Sequence, residues 1–157
     1  MAIFISRESK RFVDVSLSFE ANPISGDLTL LTNERAINNA LRNLVMFATT
    51  EIPFRADIGS GVANYLFDIM DPGLQSLMAQ EITRVIEYSE PRIKLVSSSS
   101  NDMRGRPETY DDMFDFSQEP VRVDAKPEQN AFMVTIVYKI IGYEQVFKYN
   151  QLLEPTR

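Results

Sequence analysis

The chain has 157 residues, 44% hydrophobic and 24% charged, with a net charge of −6 at pH 7. That length suffices for one domain with a buried core, and the acidic balance argues against nucleic acid or a membrane surface as partner, since both run on a Lys and Arg surplus. Cysteine and histidine are absent, which excludes disulfides, thiolate or HExxH metal sites, a Cys nucleophile and a Ser-His-Asp triad. No cofactor and no metal is expected.

In chain order, Ala2 to Ile5 is apolar but too short for a signal peptide or a spanning helix, so a soluble chain made in the cytoplasm is expected. Residues 12–19, FVDVSLSF, alternate with period two: Val13, Val15, Leu17 and Phe19 face one way, which predicts a half-buried strand. Asn22-Pro23 and Ser25-Gly26-Asp27 are turn chemistry, followed by Leu28, Leu30 and Leu31. Thr32-Asn33 offers a cap for a helix over about 33–48, whose buried stripe is Ile37, Leu41, Leu44, Val45 and Ala48.

Residues 49–61 carry Pro53, Gly59 and Gly61 and predict an irregular, tight path, with Ser60 capping a short helix over Val62–Phe67. Asp71-Pro72 opens a third helix with a cap and a proline at its first position. Leu74, Leu77, Met78, Ile82, Val85 and Ile86 form its apolar face, and it stops at Pro91. Ile93 and Leu95 begin a strand. A polar connection over about 97–120 exceeds ordinary loop length and reads as an insertion; it interleaves Tyr110, Phe114 and Phe116 with acids, a composition suited to partner docking or to covering its own core. Val121 and Val123 start another strand, Lys126 to Asn130 turn it, and Phe132 to Ile141 is the strongest β run. Tyr143 to Tyr149 can form one more strand, and Gln151 to Arg157 is expected to fray or to be held by a partner. The order strand, helices, strands predicts a single domain over 1–157 with flexible termini and an α+β fold: three helices packed on a mainly antiparallel sheet.

The candidate site is the turn Glu90-Pro91-Arg92. Pro91 cannot continue the helix and holds an acid and a guanidinium close to the backbone. Arg92 offers a planar fork suited to bidentate contact with a carboxylate. Two readings stay open: Glu90 pairs locally and Arg92 merely starts a strand, or the pair docks on a partner.

FVDVSLSF, NPISGDLTLLTNERAINNALRNLV, TTEIPFRADIGSGVANYLFD and YSEPRIKL, in that order, resemble the baseplate wedge family of contractile tails. These are the phage lysozyme-like wedge proteins that initiate the sheath, with relatives in type VI secretion baseplates. The resemblance covers about 12–96 and the VTIVYKI strand, and the family's Glu-Pro-Arg signature falls on Glu90, Pro91 and Arg92. Ile52 replaces the family's usual basic residue, and Ala56 to Ser60 lacks its proline.

The resemblance implies a structural virion protein of the tail baseplate, assembled in the host cytoplasm and present in six copies around the hub. It implies partner binding through Glu90, Pro91 and Arg92 to the helical core bundle of other wedge proteins. Hub or tube proteins are further candidate partners, with no nucleic acid and no membrane. The sheet is expected to resemble the sheath strand-exchange domain and to offer the tail sheath protein a free edge. Residues 132–141 or 143–149 are the candidates, with Val134, Ile136, Tyr138 and Ile140 as the sheath-contact positions. No catalytic residue and no enzyme activity are expected. The rivals are a peptidoglycan hydrolase, for which Glu51, Asp57, Glu81, Glu87 and Glu90 supply carboxylates, and a stand-alone regulatory adaptor of the same fold.

Overall fold

The computed structural model describes residues 11–16, 19–97 and 119–155. Most of the expected 97–120 insertion, with Tyr110, Phe114 and Phe116, lies outside the described residues, as do both chain ends. Strand β1 (Val13–Val15) pairs with β2 (Leu30–Thr32) in a two-stranded ribbon. Helix α1 (Glu34–Met46) follows, then a 3-10 helix (Val62–Phe67) and helix α2 (Pro72–Ser89). Strands β3 (Ile93–Leu95), β4 (Val121–Lys126), β5 (Ala131–Ile140) and β6 (Val146–Leu153) form a second sheet. All pairings are antiparallel, and the fold is α+β with two sheets in place of the single one expected.

Local chemistry explains the helix ends. Asp71 accepts the Leu74 N–H at 2.7 Å, so the expected cap of α2 forms, with Pro72 where its missing N–H costs nothing. Asn33 does not cap α1. Its backbone sits at φ 49°, its N–H donates to Phe12 O at 2.8 Å, and its Oδ1 accepts the Phe12 N–H at 3.1 Å. Asn33 thus ties the start of α1 to β1. Ser60 is buried, donating to Val45 O at 2.8 Å and accepting the Val62 N–H at 3.3 Å, which fixes the start of the 3-10 helix. Gly59 is obligatory here: at φ +122° a Cβ would stand 2.7 Å from Ala48 O.

The core lies between the helices and one face of the four-stranded sheet. Ile37, Leu41 and Val45 of α1 and Met78, Ile82 and Ile86 of α2 meet Val121, Val123, Phe132, Val134, Ile136, Tyr138 and Ile140. The stripe on α2 shifts slightly from the expected one, with Ala79 buried and Leu77 exposed. Tyr138 is wholly buried, and its hydroxyl donates to Asn38 Oδ1 on α1 at 2.7 Å.

Two expectations about strands need correction. Strand β5 is no edge: it pairs with β3, β4 and β6, and Val134, Ile136, Tyr138 and Ile140 are all 0% exposed. A run this rich in branched and aromatic residues is the sheet's centre because it can be buried on many sides at once. Nor does the chain fray after Gln151. Strand β6 runs to Leu153, whose side chain enters the core.

Candidate docking site

Helix α2 ends where the Glu90 N–H reaches Ile86 O at 2.9 Å and Pro91 forbids another turn. The carboxylate of Glu90 then folds back. Its Oε1 accepts Arg92 Nε at 2.6 Å and the Arg92 backbone N–H at 3.3 Å, while Oε2 accepts Arg92 Nη2. Glu90 is 5% exposed and Arg92 29%. The hydrogen bonds that Arg92 donates to Glu90 raise its pKa further, burial opposes them, and Asp14 adds a smaller pull in the same direction as Glu90. The local pair that the sequence allows is formed. Pro91 is exposed, and Nη1 is the part of the fork that Glu90 leaves over.

The same guanidinium lies over the Phe12 ring, with Cζ 5.8 Å from its centroid, within cation–π range. Asp14, two residues on, accepts from Asn39 Nδ2 at 3.3 Å. Phe12, Asp14, Asn33 and Asn39 therefore fasten the inner side of the β1–β2 ribbon to α1 and to the Glu-Pro-Arg turn. No sequence signal marks this fastening, because all its pairs are remote in the chain.

The ribbon's other side contradicts the expected burial. Val13, Val15, Leu28 and Leu30 are 49%, 37%, 42% and 58% exposed, and Phe19 is exposed as well. The alternation in FVDVSLSF is real over Val13–Val15, but its apolar face points outward.

Hydrogen-bond direction locates the sheet's free edges. The Val137 N–H donates to Pro120 O at 2.8 Å, and Val137 O accepts the Val96 N–H at 3.1 Å. Odd-numbered positions of β5 therefore bond toward β3 and β4, which lie end to end, and even-numbered ones bond toward β6. In that register Phe147, Tyr149, Gln151 and Leu153 bond to β5. Val146, Lys148, Asn150 and Leu152 turn their N–H and C=O groups away from β5. Of the two candidate edges, the later strand is the outer one.

Of the carboxylates that a hydrolase could use, Glu90, Asp57, Glu81 and Glu51 are otherwise engaged. Asp57 is paired with Arg55, whose hydrogen bond holds its pKa below the ordinary carboxylate range. Glu81 is paired with Arg84, and Glu51 accepts the Ala48 N–H at 2.8 Å. Glu87 and Glu119 line an open groove beside α2 with Thr83, Arg84 and Tyr88. Among the described residues no cluster of three or more His, Cys, Asp or Glu is placed to hold a metal, and no helix is long and apolar enough to cross a membrane.

The chain is an α+β domain with an outer β strand and a separately fastened apolar ribbon. The sequence profile of the baseplate wedge protein gp25 family matches residues 32–117, more than half of the chain, and the chain belongs to that family. It is thus a baseplate component of a contractile tail. Two solved structures share the fold. A proposed tail lysozyme from Geobacter sulfurreducens superposes with a TM-score of 0.60 at 18% identity, covering 82% of this chain and 97% of that one. A chain in the sixfold-symmetrised baseplate of the anti-feeding prophage superposes at 0.54 with 14% identity, covering 94% of this chain and 88% of that one. No curated protein matches.

Proposed function

We propose that this chain is a non-enzymatic wedge subunit that joins its baseplate neighbours through the face carrying the Glu-Pro-Arg turn and presents β6 as the edge on which sheath assembly starts. The observation that carries the sheath role is the outer strand itself. Val146 to Asn150 offers backbone donors and acceptors at ladder spacing, and a strand from another chain satisfies such groups directly. Glu90 and Arg92 enter this reading as a preformed unit. Because they already neutralise each other, a partner meets the exposed Pro91 ring and the remaining Arg92 donors, not a bare carboxylate. Six copies around the hub accord with the sixfold symmetry of the baseplate that contains the second structural relative.

The name of the first relative raises the rival of cell-wall hydrolysis. A glycosidase requires a carboxyl whose pKa is raised in an apolar pocket, paired across a cleft with a second. Asp57 is displaced the opposite way, and Glu90 is consumed by Arg92. The test is co-purification with the neighbouring wedge and sheath proteins, run beside a zymogram on cell-wall substrate. A stable complex with no clearing supports the reading. Clearing that one carboxylate substitution abolishes would replace it with the hydrolase.

A further inference from the structure

We propose that the outer face of the β1–β2 ribbon seats an amphipathic helix of a partner protein, and that Arg92 is the positioning residue that holds the ribbon ready for it. This rests on the wedge reading above and names the surface through which such a subunit docks.

The face is defined by register. Val15 stands opposite Leu30 and Val13 opposite Thr32, so these four share one side, and Leu28, two residues before Leu30, extends it. No charged side chain interrupts this strip. Its apolar groups are between 37% and 58% exposed although the alternation that normally buries them is intact. The strip is also held in one orientation. Phe12 is hydrogen-bonded twice to Asn33 and covered by Arg92, and Asp14 is bonded to Asn39, so the opposite side is committed to the body of the domain. A one-residue slip would exchange the faces but would break all of these contacts.

Dimensions and charge select the occupant. Two strands about 5 Å apart, with their side chains, make a strip about one helix diameter wide, too narrow for a facing sheet. From Leu28 to Thr32 the strip is about 13 Å long, the length of two to three helical turns. Glu20 and Asp27 lie at the turn end of the ribbon, whereas Arg11 and Arg35, with Glu34, lie at the α1 end. That polarity favours a helix whose amino end lies over the acids and whose carboxyl end lies toward the arginines. The occupant is therefore a short helix with an uncharged apolar face, contributed by another chain.

The test uses intact tails. The double variant V15T/L30T keeps β-branched, strand-forming residues at both positions and, since Leu30 is 58% and Val15 37% exposed, should melt close to the parent. Its incorporation into tails should fall about tenfold or more, the loss expected when central apolar anchors are removed. A photo-crosslinking phenylalanine analogue at Val15 in assembled tails should join to a helical segment of another baseplate protein. Normal incorporation of V15T/L30T overturns the proposal. So does a crosslink to the chain itself, to a second copy or to an extended strand. If the subunit is present in tails but only an analogue at Pro91 crosslinks, the ribbon inference falls and the wedge reading stands. Absence of the parent subunit from tails removes both. R92K separates positioning from general stability: it keeps the charge but loses the fork, and it should speed amide exchange at Val13–Val15 and Leu30–Thr32 while leaving β5 protected.

Discussion

The Glu90 carboxylate is the residue on which the turn depends. It is almost wholly removed from water, and all of its described partners belong to Arg92. Truncating Arg92 to alanine strands that carboxylate and uncovers Phe12. Because Arg92 itself keeps some solvent contact, the cost should be about 2 kcal/mol, below that of a fully buried pair. Urea denaturation of R92A would show it as a lower midpoint at unchanged slope. An unchanged midpoint would mean that water replaces the guanidinium without loss. The reading of Arg92 as a bare partner-facing charge predicts no such change, so stability should be measured before any loss of binding is interpreted. Tyr138 supplies a second residue-scale effect. Burial raises its phenol pKa above the ordinary range, with Glu34 adding to the shift. The folded state thus binds this proton more tightly than the unfolded chain does. Stability is full below the unfolded tyrosine pKa of about 10 and declines as pH rises beyond it. Y138F should lose the Asn38 bond, about 1 kcal/mol at neutral pH, and show a shallower decline in alkali. Burial shifts Tyr149 the same way, with Arg42 opposing, so some decline should remain.

At the scale of elements, β5 and β6 should respond oppositely to proline. The Val137 N–H is bonded to Pro120 O inside the sheet, so V137P removes a ladder bond from the central strand and should abolish cooperative unfolding. The Lys148 N–H faces away from β5, so K148P should fold, with circular dichroism close to the parent's, and should fail only where a strand must be added. Both outcomes follow from hydrogen-bond direction, which sequence does not carry. What sequence does carry is local: the Asp71-Pro72 cap, the apolar stripe of α1 from Ile37 to Val45 (the helix ends at Met46, before Ala48), the glycines of the 49–61 loop and the turn at Lys126 to Asn130 form in place. The misses share one cause. Alternation at Val13 and Val15 shows that a strand has two unlike faces, but not which of them this chain covers. The hydrophobic run in β5 shows a strand that wants burial, but not how many neighbours it gains. The choice between an internal and an outward role for Glu90 is open in the sequence because it turns on how deeply the carboxylate is buried, which tertiary packing decides.

For the molecule as a whole, the two proposed contact surfaces are built on different elements around one core. The ribbon is fastened to α1 and to the turn after α2, whereas β6 is carried by β5. Substitutions at sites without shared partners add nearly independently, within about 0.5 kcal/mol. V15T/L30T and K148P should therefore produce separate defects. The ribbon variant should leave the subunit folded in the lysate and missing from baseplates, with sheath failure only as a consequence. K148P should enter baseplates at parental levels and yield tails whose tubes lack an ordered sheath. The triple variant should match the ribbon variant, because a subunit that never docks cannot display its edge. Electron microscopy of tails, with subunit content measured by mass spectrometry, distinguishes these outcomes. If K148P were itself excluded from baseplates, the β6 edge would face a wedge neighbour and sheath growth would start from another edge. If ribbon-deficient subunits still supported sheath, docking would reside wholly in the Glu-Pro-Arg turn. The order in which the defects appear is thus a direct reading of the order of assembly, because the first surface to engage masks the phenotype of the second.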